Sequence, residues 1–301
     1  MKKMNYNILL ALAIFLLCTW IALLIQPLGS GQIYNENATV NTTVNITNSA
    51  PIVTDVALET PIFITPYGNV TVFCNVTVYD YDNDTVTVNA TFYQDTIDPF
   101  ATDHPNNHYS NISCSETGRY NTETNFTCGF EVEYYANNGT WYCNATALDD
   151  DNAIGNNESQ FAIVQPTVAI VIPGIIDYGD LAQGEISPDI PANIINAGNR
   201  ENNISVKGWG SAENDGLAMN CTFGNIDISY EKYNITNGTG NYAFMTELTQ
   251  NLVMLPNFYI PQRTDPAQES TNSTFWKLQI PVGAGGICNG KILFSASDKG
   301  N

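Results

Sequence analysis

Apolar and polar residues alternate strictly in three stretches of the first half of the chain. In residues 69–78, valines and Cys74 occupy every second position, while Asn, Thr and Phe occupy the others. Residues 85–92 and 141–148 repeat the pattern, with Cys143 at an apolar position. Because successive side chains of a β-strand point to opposite faces, this period of two predicts strands with one buried face.

Clusters of turn-forming residues separate these runs, and the 301-residue length is typical of two domains. The spacing of the turns predicts an antiparallel sandwich over residues 50–165. A second sandwich is predicted over residues 166–301, with an apolar strand at 168–172 and an alternating run at 274–280. Gly198 is expected to occupy a turn that needs positive φ. The predicted fold class is therefore all-β, with two tandem antiparallel β-sandwich domains.

The N-terminus predicts export. Lys2 and Lys3 precede an apolar run at residues 8–25, and small residues follow at 26–31. Residues 1–31 are therefore predicted to be either a cleaved signal peptide or a retained signal-anchor helix, and the sequence leaves both open. Either alternative indicates an extracellular or cell-surface protein, whose only membrane contact is its N-terminal segment.

Residues 32–49 are predicted to connect this segment to the first sandwich. Within them, residues 39–47 alternate, with Val40, Thr42, Val44 and Ile46 on one face. One interpretation is a flexible glycosylated stalk. The other is a donor strand that adds to the sheet edge of a neighbouring subunit and links subunits head to tail.

Cysteine usage agrees with export. Six cysteines follow the N-terminal segment, and an even number in an exported chain predicts disulfides. Cys74 and Cys143 both point inward from predicted strands, so we favour a bridge between them, with Cys114 and Cys128 closing a local hairpin. Two other ways of pairing these four cysteines remain open. Cys221 and Cys288 are the two cysteines of the second domain, so we expect them to pair with each other.

N-glycosylation sequons are about three times more frequent than the roughly six expected by chance. On the alternating strands they fall on the polar face, where a glycan reaches solvent, and Asn144 is among those predicted to face outward. The seventeen candidate sites are Asn37, Asn41, Asn45, Asn69, Asn75, Asn83, Asn89, Asn111, Asn125, Asn138, Asn144, Asn157, Asn203, Asn220, Asn234, Asn237 and Asn272.

The net charge is −20, from 30 acidic and 10 basic residues. Such a field repels phosphate backbones, so nucleic acid is excluded as a partner class, whereas cations are attracted. The clearest cation candidate is the turn that holds Asp80, Asp82 and Asp84, because alternating carboxylates on a tight turn converge as hard oxygen ligands for calcium. The alternative is an acidic, solvated turn. No other cofactor is predicted.

A family resemblance supports the first sandwich. Residues 48–53 (NSAPIV), 75–85 (NVTVYDYDNDT) and 139–151 (GTWYCNATALDDD) resemble the opening, the acidic turn and the late strand of PKD, cadherin-like and Ig-like surface modules. The richness in Asn and Thr resembles secreted N-glycosylated surface proteins of archaea. The resemblance implies an extracellular spacer or adhesion module without catalytic activity.

The second sandwich carries a weaker resemblance. Residues 177–185 (DYGDLAQGE) and 192–199 (ANIINAGN) are similar to the opening of many Ig-like domains and resemble structural subunits of extracellular matrices and pili. No nucleophile elbow, zinc-protease motif or phosphate loop is present in the sequence.

The sequence thus favours a non-catalytic structural glycoprotein: a surface coat, an adhesin or a filament subunit that self-associates or binds other surface components. The first alternative is a module that binds polysaccharide or a host surface through exposed aromatic residues. The second is a secreted glycoside hydrolase, which needs two facing carboxylates. The aromatic candidates are Tyr79, Tyr81, Tyr134, Tyr135, Trp209 and Tyr259.

Overall fold

The computed structural model describes residues 39–84, 86–237 and 240–300, which form part of two compact units, residues 1–47 and 48–301. The signal or anchor predicted at residues 1–31 lies outside the described residues. In the first unit, residues 39–47 have no regular secondary structure and are exposed. None of the helices in the described ranges has the length and apolar character needed to cross a membrane.

The first part of the second unit is a sandwich of two antiparallel sheets. Its strands are β1 (Ile52–Leu58), β2 (Asn69–Tyr79), β3 (Thr87–Gln94), β4 (His108–Asn111), β5 (Ser115–Tyr120), β6 (Glu123–Glu133), β7 (Gly139–Leu148), β8 (Ile154–Glu158) and β9 (Ala162–Val164). One sheet has the order β1-β2-β6-β5, and the other has the order β4-β3-β7-β8, with β9 also pairing with β7.

The core of this sandwich surrounds a disulfide between its two sheets. Cys74 in β2 is bonded to Cys143 in β7, with Cα atoms 6.5 Å apart. Trp141 stacks on Phe92 beside it, with ring centroids 4.6 Å apart. A crosslink that closes a loop of 69 residues contributes about 4 kcal/mol in the chain-entropy model. The bridge therefore holds the two sheets together through the middle of the core.

The other four cysteines also pair. Cys114 is bonded to Cys128, and Cys221 is bonded to Cys288. All three bonds join the pairs that the sequence favours, although Cys74 lies directly opposite Cys128 across the ladder of β2 and β6. Strand register alone therefore does not identify the disulfide partner of Cys74.

The second sandwich has its own core and three antiparallel sheets, with orders β10-β11-β18-β15-β16, β17-β12-β20 and β14-β13-β19. Two 3-10 helices, Ile228–Tyr230 and Tyr242–Phe244, lie between its strands. The strands are β10 (Ile170–Val171), β11 (Ile190–Asn196), β12 (Asn202–Trp209), β13 (Leu217–Phe223), β14 (Asn225–Asp227), β15 (Glu231–Asn234), β16 (Thr246–Glu247), β17 (Val253–Ile260), β18 (Thr271–Leu278), β19 (Gly285–Asn289) and β20 (Lys291–Asp298).

The structure therefore has the predicted all-β class, with antiparallel sheets arranged as tandem β-sandwiches. The apolar strand predicted at residues 168–172 was wrong in extent. Only Ile170 and Val171 pair, with β11, while Ile172 leaves the sheet and is partly exposed. Apolar composition alone did not indicate where this strand loses its partner.

Buried amides connect the two sandwiches. Asn199 is fully buried; its Nδ2 donates to the carbonyl oxygens of Ala136 (3.0 Å) and Gln165 (3.1 Å), and its Oδ1 accepts from the backbone N–H of Thr167 at 2.7 Å. Asn106 donates similarly to the carbonyl oxygens of Tyr135 and Arg263. These two asparagine side chains therefore form hydrogen bonds with backbone groups of both sandwiches.

Gly198 belongs to the same junction. The expected positive φ is wrong, because Gly198 is not among the glycines with positive φ. A Cβ at this position would instead lie 2.2 Å from the carbonyl oxygen of Thr167. The glycine is required by the close approach of the connecting chain, which is a tertiary constraint.

Loss of the Asn199 amide should loosen this junction. Asn199→Ala leaves the carbonyl oxygens of Ala136 and Gln165 unpaired, and we expect a loss of about 2–4 kcal/mol in the free energy of unfolding. Denaturant unfolding measures the change, and limited proteolysis around residue 166 should become faster. Asn193→Ala, which removes an exposed amide from β11, is the control and should cost less than about 0.5 kcal/mol. Equal stability of the two variants would contradict this role.

Glu231 is a buried acid in the second core. Its side chain is 2% exposed, and its Oε1 accepts a hydrogen bond from the Tyr178 hydroxyl at 2.7 Å. Burial raises the pKa of Glu231 from 4.5 to about 7, although the hydrogen bond from Tyr178 opposes that rise. The folded chain therefore holds this proton at pH values where the unfolded chain has released it.

This proton should make stability depend on pH. Between about pH 4.5 and 7, only the folded state binds the proton, so the free energy of unfolding should fall as the pH rises. Relative to Glu231→Gln, the wild type should lose up to about 3 kcal/mol across this window. Denaturant unfolding of both proteins from pH 4 to 8 measures the difference. A difference that does not change with pH would contradict the assignment.

Candidate metal centre

Two loops bring six aspartates together at one end of the first sandwich. The loop after β2 carries Asp80, Asp82 and Asp84, and the loop after β7 carries residues 149–151, all of them aspartates. Carboxylate oxygens of the first three lie within 4.8 Å of one another, and Asp84 forms a second such group with residues 150 and 151. The two loops therefore meet at Asp84.

Asp80 is the most buried acid of the first loop, with 4% of its surface exposed. Its backbone N–H donates to the carbonyl oxygen of Thr122 at 2.8 Å, which continues the inter-strand ladder and points the residue inward. Oδ1 accepts from the backbone N–H of Asp82 at 3.3 Å, whereas Oδ2 is buried without a hydrogen-bond partner. Oδ1 of the half-buried Asp84 is likewise buried without a hydrogen-bond partner.

The crowding of carboxylates changes their pKa values. Partial burial, together with contacts with Asp150 and Asp80, raises the pKa of Asp84 to about 7. Burial also raises the pKa of Asp80, and the neighbouring Asp82 carboxyl group raises it further. The interaction between these two side chains lowers the pKa of Asp82. Opposite pKa shifts are expected where neighbouring carboxylates share a small space without a neutralising cation.

The beginning of the second unit is bonded to this cluster. Asn48 Nδ2 donates to Asp149 Oδ2 at 3.2 Å, and the backbone N–H of Ser49 donates to Asp82 Oδ2 at 2.5 Å. Oδ1 of Asn48 is buried without a partner. Sequence analysis did not single out Asn48, because its neighbours in sequence form no acidic pattern.

Basic side chains do not neutralise the cluster. In residues 39–84, 86–237 and 240–300, no ion pair involves any of the six aspartates. Arg119 donates to the backbone carbonyl of Asp84 at 3.3 Å, and its guanidinium pairs with Glu116. The carboxylates therefore retain their capacity to bind a cation.

This donor set fits calcium. The ion takes six to eight oxygen ligands, and carboxylate and amide oxygens are its usual protein ligands. Asp80 and Asp84 each offer a buried oxygen without a hydrogen-bond partner, and Asp82, Asp150 and Asp151 offer further carboxylates. No cysteine or histidine belongs to either group, which disfavours zinc.

The aromatic residues proposed for carbohydrate binding do not form one exposed row. Tyr134 and Tyr135 are buried at the junction, where the guanidinium carbon of Arg263 lies 4.7 Å from the ring centroid of Tyr135. Tyr79 donates to Glu123, and Lys299 lies 3.4 Å from the ring centroid of Tyr259. Tyr81 is exposed and Trp209 is half-buried.

Two sequons face each other across β2 and β6. Asn75 lies opposite Thr127, and Thr77 lies opposite Asn125. Each threonine hydroxyl donates to the opposite asparagine Oδ1 at 2.8 Å, so both Nδ2 atoms point away from these bonds on an exposed sheet face. Asn144 differs from the prediction, because it is only 9% exposed under neighbouring loops although it lies on the outer face of β7.

Comparisons with known proteins assign no family to the chain. No family model matches, and no curated protein matches. One similar solved structure is the chaperone–tip adhesion subunit pre-assembly complex of archaic chaperone-usher Csu pili from Acinetobacter baumannii. The two sequences are 9% identical, the match covers 80% of this chain and 99% of that chain, and the TM-score is 0.40. Another is a chaperone–tip adhesin complex of CFA/I fimbriae biogenesis, with 9% identity, coverages of 89% and 90%, and a TM-score of 0.32.

A third similar structure is the C-terminal domain of the antigen I/II polypeptide BspA from Streptococcus agalactiae. It has 9% identity, covers 82% of this chain and 98% of that chain, and has a TM-score of 0.23. Because these scores are low, the similarities carry no weight for function. The function is therefore inferred from this chain's own residues.

Glycan occupancy should follow the exposure of each sequon. We expect modification at Asn75 and Asn125 and none at Asn144, because a glycan cannot be placed on a buried amide without opening the neighbouring loops. Glycopeptide mass spectrometry of chain exported by an N-glycosylating host measures occupancy. Thr127→Val should remove the glycan at Asn125, and the matched Thr127→Ser should keep it. A modified Asn144 beside unmodified Asn75 and Asn125 would contradict the prediction.

Proposed function

We propose that this chain is a non-catalytic, extracellular structural glycoprotein of the cell surface, whose first sandwich is completed by a calcium ion. The observation that carries the proposal is the buried Asp80 carboxylate, whose Oδ2 has no hydrogen-bond partner and which faces other carboxylates. A buried polar atom without a partner is costly, and a cation removes that cost together with the repulsion between neighbouring carboxylates.

Calcium binding also agrees with an extracellular location. Extracellular modules commonly bind calcium with a Kd of about 10⁻⁴–10⁻³ M, a range suited to the concentrations outside cells. Three disulfides support the same compartment, since such bonds persist in oxidising environments. Sequons on the outer face of β2 and β6 support glycosylation there, and a role as coat, adhesin or filament subunit uses these properties together.

The arrangement of acids favours cation binding over hydrolysis. The pKa of Asp82 is lowered and that of Asp84 is raised, and such a pair of opposite shifts also occurs in glycoside hydrolases. However, carboxylates that flank a sugar belong to opposite sides of a substrate cleft, whereas Asp80, Asp82 and Asp84 alternate on one turn and converge on one point. Burial of Tyr134 and Tyr135 likewise removes two of the candidate sugar-stacking residues.

Calcium should stabilise the chain against unfolding. At about tenfold excess over Kd, binding to the folded state alone adds about 1–2 kcal/mol to the free energy of unfolding. Denaturant unfolding with calcium and with a chelator measures this, and calorimetric titration gives the stoichiometry. Asp80→Asn should abolish most of the calcium response, because it removes the buried charge. Asp55→Asn, in the exposed part of β1, is the matched control and should keep the response.

The possible results of this experiment are distinct. Calcium-dependent stabilisation in the wild type and the Asp55 variant, but not in the Asp80 variant, supports the proposal. No heat of binding and no stabilisation of the wild type would overturn it. A response of equal size in all three proteins would show that calcium acts elsewhere and would also overturn the assignment to Asp80.

A further inference from the structure

The edge of β20 is open along its whole length. All eight residues of β20 pair with β12, from Asn202 opposite Asp298 to Trp209 opposite Lys291, without a register shift. In the part of the chain that the structure describes, no strand pairs with the other side of β20. A long edge without a bulge or proline is a template for another strand, and here the charged residues stand only at its two ends.

A cleft adjoins the first half of β20. It has a volume of about 350 Å³, and its lining combines residues 172–176 and 290–294 with Tyr178, Trp209, Met219 and Glu231. Its walls include Ile172, Ile175 and Ile292, and the Ile175 side chain is 76% exposed. Residues 172–176 are the segment that leaves the sheet after β10, and they give the cleft a wall that belongs to no strand.

The chain also contains a segment with the right pattern to fill the cleft. In residues 39–47, Val40, Val44 and Ile46 alternate with polar residues and are 84%, 85% and 75% exposed, respectively. Nine extended residues span about 30 Å, which covers an eight-residue edge. The segment has no charged residue, which suits the uncharged middle of β20.

The sequons of this segment are compatible with docking. Asn41 and Asn45 occupy the face opposite to Val40, Val44 and Ile46. When the apolar face enters a cleft, glycans on the opposite face project into solvent. The alternation therefore separates a docking face from a glycosylated face in the same nine residues.

We propose that residues 39–47 of a second copy of this chain add as a strand to the open edge of β20 and insert Val40, Val44 and Ile46 into the adjoining cleft. The contact is heterologous, because one copy supplies the strand and the other supplies the cleft, so repetition links copies head to tail. This inference deepens the proposed structural function and depends on it, but it does not require calcium.

The test uses the full-length chain, with its disulfides oxidised and in mild detergent, analysed by size-exclusion chromatography with light scattering. Val44→Asp disables the strand and leaves the cleft intact, whereas Ile175→Asp disables the cleft and leaves the strand intact. Val282→Asp is the matched control, because Val282 is 88% exposed and is not a lining residue of the cleft. Buffers of about 0.15 M salt screen the repulsion between acidic copies.

We expect the wild type and Val282→Asp to form assemblies that grow with concentration, and each of the other variants alone to associate at least tenfold more weakly. A mixture of Val44→Asp and Ile175→Asp should form one-to-one dimers that do not extend, because only one strand and one cleft remain functional. Association of Val44→Asp at the wild-type level, absence of mixed dimers, or a monomeric wild type would each overturn the proposal.

Calcium-dependent stability measured on the same proteins separates this inference from the proposed function. A calcium response without association overturns only the docking of the strand. Association without a calcium response overturns only the metal assignment and leaves the strand proposal supported.

Discussion

Six carboxylates share one end of the first sandwich, and their mutual repulsion is the constraint around which that end is built. Asp80 is held inside by the strand ladder, so its charge cannot move out to solvent without breaking the bond from its backbone N–H to Thr122. Basic side chains of the described residues do not pair with the cluster. The proposed divalent cation would relieve both the repulsion and the unpaired buried oxygens, and it would couple metal binding to the stability of this end of the fold.

Rigid links extend from this cluster through the second unit. Asn48 and Ser49 attach the start of the unit to the acidic loops, and the Cys74–Cys143 bond holds the two sheets together. Asn199 then joins backbone groups of both sandwiches. Each of these links restricts movement between neighbouring parts of the second unit.

Local alternation predicted much of this fold from the sequence. The strands at residues 69–78 and 141–148, the inward cysteines and the convergence of the Asp80 turn all follow from a period of two and from turn chemistry. The positive φ expected at Gly198 was wrong, and Asn144 is buried although it lies on the predicted outer face of β7, because the approach of Thr167 to Gly198 and the surroundings of Asn144 are tertiary features. Asn48 was missed for the same reason, since its partner Asp149 is 101 residues away.

The measurement that tests the central claim most directly is a crystal structure of the chain grown with calcium, with anomalous data to identify the ion. We predict one calcium ion with oxygen ligands at about 2.3–2.6 Å that include Asp80 Oδ2 and a carboxylate oxygen of Asp84. A structure at saturating calcium with no ion between these residues, and with Asp80 Oδ2 bonded to a protein donor instead, would contradict the account.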